Sequence, residues 1–225
     1  MKRLLSCLLC LCTLLSIPCA ALAEHTAVLL IATEADGAAF LIHMELDRDA
    51  QRVVLSHMSG DEALGEETVA SRYAEGGADG LADALESWVH SQYTATVSLE
   101  GAAAVLDLLG GVPLALTEAE RVSYGLPASS GLETADGETV LAFVQDALDG
   151  TAEQRRRLLD AADALFRVLA TKSLNQLIGL IPRFLECIRT NMPLNAMVVM
   201  AKDFVNLKDA PLIVQSLIPK EEAAP

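Results

Sequence analysis

The sequence predicts an α/β fold in which one central, mainly antiparallel sheet is flanked by helices. Three observations predict it: β-rich apolar runs cluster early in the chain, helical patterns dominate its second half, and strands and helices do not alternate regularly. The chain has 225 residues, 52% of them hydrophobic. This length and composition suit one domain with one core.

The early apolar runs predict a three-stranded antiparallel meander. Its strands are expected at His25–Ile31, Ala39–Leu46 and Arg52–Ser56, with a tight turn at Asp36-Gly37 between the first two. Apolar and polar residues alternate poorly in the first two runs. We therefore expect these two strands to be buried on both faces.

The rest of the chain contains shorter strands, helices and two long loops. Glycine and polar residues predict loops over 57–78 and 117–137. Thr151 and Gln154 have the spacing of a capping box at the start of a helix. The other predicted elements are helices at Asp79–Ser91, Glu100–Leu109, Gly137–Leu148, Thr151–Ala170, Ser173–Arg189 and Pro193–Phe204, and strands at Thr94–Leu99, Val112–Leu116 and, at an edge, Leu212–Ile218.

The N-terminus has the three parts of a secretory signal. Lys2 and Arg3 precede the apolar stretch Leu4–Ile17, and Ala21-Leu22-Ala23 is a cleavage site of the A-x-A type. The apolar stretch is shorter than the about 20 residues that span a bilayer. We expect a signal peptide over 1–23, one domain over 24–219 and a frayed tail over 220–225, and hence an exported protein outside the cell or in its envelope.

Two alternatives to cleavage remain open. The first is an uncleaved signal that anchors the chain, which is the one membrane association that the sequence indicates. The second is a lipoprotein modified at Cys19, which Pro18 disfavours because a small residue is expected there. After cleavage Cys187 is the one remaining cysteine, so no internal disulfide is available and a buried structural thiol is expected.

The charge is strongly acidic. The whole chain has a net charge of -15, and removal of Lys2 and Arg3 leaves 14 basic against 31 acidic residues, or -17. Such a surface repels phosphate backbones and anionic lipid headgroups, which argues against nucleic-acid binding.

General catalytic motifs are missing from the sequence. It contains no Walker loop, no GxGxxG, no HExxH and no GxSxG. His25, His43, His57 and His90 have no spacing typical of zinc ligands, so a zinc site is not indicated.

Five segments in order are similar to one family. The sequence resembles the LytR-CpsA-Psr domain at Tyr73–Gly77, Tyr93–Gly101, Val105–Val112 (which ends in Gly110-Gly111-Val112), Leu132–Val144 and Thr190–Leu194. The resemblance implies the sandwich fold of that family. It also implies transfer of glycopolymers from a polyprenyl pyrophosphate carrier to peptidoglycan, with a carboxylate-bound Mg²⁺, arginines on the pyrophosphate and an apolar pocket for the prenyl chain.

The sequence departs from the family where that chemistry is expected. The family arginine after the third strand corresponds to Ser59 or Gly60, while the aspartate beside it corresponds to Asp61. The family's metal-binding aspartate falls within Gly37-Ala38-Ala39, and both arginines of a later helix are missing from Phe143–Ala147. Mg²⁺ binding is therefore expected to be weak or absent.

The remaining candidates each have a plainer interpretation. Asp61 and Asp36 are candidate metal ligands, but a loop carboxylate and a turn residue would look the same. Arg155, Arg156 and Arg72 are candidate ligands of a polyprenyl phosphate. The run Arg155–Arg157 lies near Glu153 and Asp160, so a solvated, salt-bridged helix face is the alternative.

Three functions remain open. The first is a divergent, non-catalytic cell-envelope protein that binds a polyprenyl-linked glycan, a lipid or a protein partner. The second is an active Mg²⁺-dependent phosphotransferase that draws its cations from Arg72, Arg155 and Arg156. The third is a secreted interaction or scaffold domain without a lipid pocket.

Overall fold

The computed structural model describes residues 25–34, 37–128, 131–148 and 152–217, with the backbone alone at 148 and 152–156. In chain order its elements are β1 His25–Glu34, β2 Gly37–Asp47, β3 Arg52–Ser59, β4 Ala63–Leu64, β5 Glu67–Thr68, α1 Val69–Leu85, β6 Tyr93–Ser98, α2 Leu99–Leu109, β7 Val112–Leu116, α3 Glu118–Ser123, β8 Gly131–Ala135, α4 Gly137–Leu148, α5 Ala152–Ala170, α6 Leu174–Cys187, β9 Ile188–Thr190, α7 Leu194–Asn206 and β10 Leu212–Ser216.

The central sheet has six strands in the order β10-β3-β2-β1-β6-β9. The pairs β1–β2, β2–β3 and β6–β9 are antiparallel, whereas β1–β6 and β3–β10 are parallel. The predicted meander and the predicted edge strand are confirmed. Two further hairpins, β4–β5 and β7–β8, form small separate sheets.

Side-chain alternation gives the sheet two different apolar faces. On one face, Leu29, Leu41 and Met58 pack against Leu81 and Leu85 of α1. The other face carries Val28, Met44 and Val53 and packs against residues of α5 and α7. The sheet is therefore covered on both faces, as the poor alternation of β1 and β2 predicts.

The loop predicted over 57–78 is wrong in part, since β3 continues to Ser59 and α1 begins at Val69. The hydroxyl of Thr68 caps α1 by accepting a hydrogen bond from the Ser71 N–H. Gly77 interrupts the helix with φ 63° and ψ -159°. Together with the nearby Gly76 and Gly80 it weakens the helical pattern that would have revealed the first half. The second half ends at Leu85, before the predicted Ser91.

The loop predicted over 117–137 is also wrong in part. It contains α3 and β8, and α3 begins with a capping box between Thr117 and Glu120. The helix predicted to end at Arg189 ends at Cys187, where the chain turns into β9. The capping box expected at Thr151 lies outside the described residues. Among the described helices, none is both long and apolar enough to cross a bilayer.

Candidate functional site: apolar cavities and a stripped hairpin end

Two adjoining apolar cavities lie between the sheet and the helices that cover its second face. The first has a volume of about 150 Å³ and the second about 180 Å³. Leu30, Met44, Leu169 and Phe204 line both cavities, so the two share a wall. The first cavity extends between α6 and α7, and the second extends between α4, α5 and β3.

The walls of both cavities are almost entirely apolar. Among the described residues, no Lys, Arg, Asp or Glu lines either cavity, and the polar lining residues are Thr190 in the first and His57 in the second. Apolar residues two apart on β1, β2 and β3 produce this surface, because residues at i and i+2 of a strand share a face. A pocket with such walls suits a hydrocarbon chain.

The same face of the sheet continues past His57 to the end of the β1–β2 hairpin. There Phe40 pairs with Ser59, and the Gly60 N–H donates a 2.8 Å hydrogen bond to the Ala39 carbonyl. A side chain at Gly60 has no room, since its Cβ would lie 2.0 Å from the Ala38 carbonyl oxygen. We call the region of Ala38, Ser59 and Gly60 the hairpin end.

The hairpin end joins the two positions at which the resemblance leads us to expect catalytic groups. The position of the metal-binding aspartate is Ala38, which is 3% exposed, and the position of the arginine is Ser59 or Gly60. The structure therefore brings these positions together, and none of Ala38, Ser59 and Gly60 carries a carboxylate or a guanidinium. A carboxylate beside them is that of Glu62, which accepts a 2.8 Å hydrogen bond from the Ser59 N–H.

The arginine positions expected in α4 are also occupied by other residues. Ala147 is fully buried, so no long side chain fits at that position. Gln145 points into a separate open groove lined by four acidic residues, Glu100, Asp107, Asp136 and Glu138. Neither position brings a positive charge to the cavities.

Two arginines near α4 are held by carboxylates. Arg157 forms an ion pair with Glu120, and its guanidinium carbon lies 4.3 Å from the centre of the Phe143 ring. Arg121 is buried, forms an ion pair with Glu133 and donates a 2.9 Å hydrogen bond to the Pro127 carbonyl. These pairs neutralise both arginines within the protein.

A tyrosine beside this group is kept protonated. The Tyr124 hydroxyl donates a 2.7 Å hydrogen bond to Asp146, and burial together with this carboxylate raises the pKa of Tyr124 to about 12. At neutral pH it is therefore a hydrogen-bond donor and not an anionic nucleophile.

The sequence-predicted site residues do not converge. Arg72 lies on the first part of α1, pairs with Glu67 at 3.7 Å and lines a shallow depression with Trp88. This depression shares no lining residue with the two cavities. Asp61 is exposed in the turn after β3. Asp36 and the side chains of Arg155 and Arg156 lie outside the described residues.

The residues at the hairpin end do not fit the Mg²⁺ that the resemblance implies. Mg²⁺ needs several oxygen ligands in a near-octahedral arrangement. Asp61 and Glu62 are the described carboxylates of the turn after β3. Glu62 already accepts a hydrogen bond from the Ser59 N–H, and within the described part of the chain neither belongs to a group of three potential metal ligands.

The sequence analysis did not identify the residues that form the cavities. The signal was available in the pairs Val28/Leu30, Ile42/Met44 and Val53/Leu55, which place apolar residues on one face of three adjacent strands. The sequence analysis also did not predict the burial of Arg121. That burial depends on the carboxylate of Glu133, which lies 12 residues away in the chain.

Comparison with known proteins shows the fold through solved structures. No protein-family model matches the sequence, and no curated protein sequence matches it. Lin1025 from Listeria innocua is similar with a TM-score of 0.68 and 19% identity, over 86% of this chain and 82% of that one. TagV from B. subtilis has a TM-score of 0.64 and 16% identity, over 85% and 84%. TagT bound to LIIa-WTA has a TM-score of 0.67 and 16% identity, over 86% and 79%.

Proposed function

Since the chain has the fold of LytR-CpsA-Psr proteins such as TagT and TagV, we propose that it is a non-catalytic cell-envelope protein that binds the hydrocarbon chain of a polyprenyl-linked glycan. The observation that carries this proposal is the pair of adjoining apolar cavities beside a hairpin end whose residues Ala38, Ser59 and Gly60 are uncharged. The predicted signal over 1–23 supports export to the envelope.

The cavities support lipid binding because an apolar chain gains from leaving water. Burial of hydrocarbon contributes about 0.8 kcal/mol per CH₂ group, so a few prenyl units supply substantial affinity without a charged contact. The structure of TagT bound to LIIa-WTA is a structure of the same fold with a ligand. The ligand belongs to the TagT structure, and binding by the present chain is proposed by analogy with it.

The charge distribution supports the loss of catalysis. Transfer of a phosphoryl group requires positive groups aimed at the charge that develops in the transition state. At the hairpin end Ala38 stands at the position of the expected aspartate, and Ser59 or Gly60 stands at that of the expected arginine. Arg121 and Arg157 are already paired with carboxylates. A protein with these residues can hold the lipid but has little to stabilise the transition state.

Lipid retention tests the binding function. The chain, expressed with export and purified, should release prenyl lipid on organic extraction, as detected by mass spectrometry. Ala162→Phe places a ring at a half-buried position that lines the second cavity and should reduce the lipid recovered. The matched control is Ala82→Phe, at a half-buried position of α1 on the opposite face of the sheet, which should retain the lipid.

An assay for turnover of a polyprenyl pyrophosphate distinguishes lipid binding without catalysis from the phosphotransferase and scaffold functions. Incubation with Mg²⁺ and a polyprenyl pyrophosphate should release no phosphate above the buffer control. Release that Arg155→Ala or Arg156→Ala abolishes would support the active phosphotransferase instead. Absence of both turnover and any bound prenyl lipid would favour the scaffold function and contradict this proposal.

A further inference from the structure

The sheet register brings together three side chains of types that can ligate a metal, at the other end of β1 and β2. His25, the first residue of β1, pairs directly with Asp47, the last residue of β2. Glu45 lies two residues before Asp47 and therefore on the same face. We call the region of His25, Glu45 and Asp47 the carboxylate end.

The three side chains have the spacing of ligands around one ion. The Nδ1 of His25 lies 3.4 Å from an Asp47 carboxylate oxygen and 3.6 Å from a Glu45 oxygen. Both separations exceed the about 2.7–3.2 Å of an ordinary N–H···O hydrogen bond. They agree with the about 3.4 Å between two ligands that each lie about 2.1 Å from a tetrahedral zinc ion.

Outer contacts hold Asp47 in this orientation. Its Oδ1 accepts a 2.8 Å hydrogen bond from the Ala50 N–H, and its Oδ2 accepts a 3.2 Å hydrogen bond from Arg52 Nε. The side chain of Asp47 is 4% exposed, whereas that of His25 is 46% exposed. One ligand is thus fixed from behind, as outer partners fix the ligands in metal sites, while the side of His25 is open to solvent.

We propose that His25, Glu45 and Asp47 form a binding site for one divalent cation of the zinc class, with a fourth position open to water. Two carboxylates and a neutral imidazole, with Arg52 as the neighbouring cation, leave a net charge of -1 to attract the ion. The site is distinct from the hairpin end, since β1 runs nine residue steps, about 30 Å, between the two. The ion would join the beginning of β1 to the end of β2.

The alternative is a protonated His25 that bridges two carboxylates without a metal. Titration calorimetry with ZnCl₂ at pH 7.5, in a non-coordinating buffer, distinguishes the two. The purified chain should bind one equivalent in a saturable step. Because loss of an outer partner already weakens metal binding about 10- to 100-fold, Glu45→Gln and His25→Ala should each weaken it at least about tenfold.

Matched variants exclude binding by other acids or histidines. Glu34→Gln removes an exposed carboxylate at the far end of β1, and His90→Ala removes an exposed imidazole outside the trio; both should leave the affinity unchanged. Glu45→Gln is the decisive variant. Glu45 lies on β2 and His25 on β1, so weaker binding in this variant shows that the ion contacts both strands. The proposal is wrong if the unmodified chain shows no saturable 1:1 binding, if Glu45→Gln binds equally tightly, or if either control weakens binding as much.

A thermal measurement gives a second readout. Zinc should raise the melting temperature of the unmodified chain and of both controls, because an ion that binds only the folded state stabilises it. EDTA should reverse the rise, and Glu45→Gln and His25→Ala should show a clearly smaller rise at the same zinc concentration. An equal rise in Glu45→Gln would place the ion elsewhere and contradict the proposal.

Discussion

The hairpin end and the carboxylate end lie at opposite ends of strand β2 and offer opposite chemistry. At the hairpin end, Ala38 and Gly60 leave backbone atoms so close that no side chain fits at residue 60. At the carboxylate end, His25, Glu45 and Asp47 present three potential ligands within 4.8 Å of one another. The side chains at each end therefore decide separately which ligands that end could bind.

The largest expected effect is at the hairpin end. Gly60→Ala would place Cβ 2.0 Å from the Ala38 carbonyl oxygen, so β2 and the turn after β3 must separate. We expect a loss of about 3 kcal/mol in the free energy of unfolding, measured by urea denaturation.

The control for this prediction is Gly80→Ala in α1. No atom lies within 4 Å of a Cβ at that position, and alanine favours a helix over glycine by about 1 kcal/mol. An unchanged midpoint for Gly60→Ala would show that the hairpin end adapts and can accept a side chain.

A smaller loss of stability is expected for a pair of charged residues near the carboxylate end, on the opposite face of the sheet. Asp203 of α7 is 4% exposed, and Arg48 Nε lies 3.0 Å from one of its oxygens. Asp203→Ala leaves this arginine without its partner and should lower the free energy of unfolding by about 2 kcal/mol. The matched variant Asp163→Ala breaks an exposed pair with Arg167 and should change it by less than about 0.5 kcal/mol. Equal losses of stability in the two variants would show that the buried pair of Asp203 with Arg48 contributes no more than the exposed pair.

Acidification should lower the stability of the protein through His43, a buried histidine beside the carboxylate end. Burial lowers the pKa of His43 below its usual 6.5, although a backbone hydrogen bond at His90 and the charge of Glu45 oppose the shift. The unfolded chain then binds the proton at a higher pH than the folded chain does. Stability from this source is complete above pH 6.5 and is lost as the pH falls towards the lower folded pKa.

The variant His43→Leu tests this dependence. Between pH 7 and pH 5.5 its urea midpoint should fall less than that of the unmodified chain. His90→Ala, at an exposed position, should retain most of the unmodified slope. Parallel slopes for all three proteins would show that His43 does not control the response.

The smallest effect is expected for Arg72. Its ion pair with Glu67 is exposed, so Arg72→Ala should change the free energy of unfolding by less than about 0.5 kcal/mol. Because Arg72 lines a depression separate from both cavities, the prenyl lipid recovered should also stay the same. A marked loss of lipid would restore Arg72 as a phosphate ligand.

Five of the six strands of the central sheet were predictable, because their apolar runs stand out and end at clear turn residues. The first half of α1 was not, since Gly76, Gly77 and Gly80 resemble loop residues and the cap at Thr68 gives a weak signal. The strand β9 was also not predictable. It has three residues, and its pairing with β6 joins residues more than 90 apart.

The candidate sites were only partly predictable. Resemblance located the hairpin end, but a local motif could not show that Gly60 excludes a side chain, because the clash comes from the neighbouring strand. The carboxylate end was missed for a similar reason. A search for histidines near one another in sequence overlooks a site in which His25 meets Asp47 through strand register.

The parallel pairing of β10 with β3 has a consequence for folding. Gln215 donates a hydrogen bond to Ser56, which lies 159 residues earlier in the chain. Until the last strand has been made, the edge of β3 has no partner, and an open strand edge is a template for association between chains. This contact is slow to form because of its long sequence separation. A chain shortened before Pro211 should therefore aggregate, even though the carboxylate end and every lining residue of the first cavity are present.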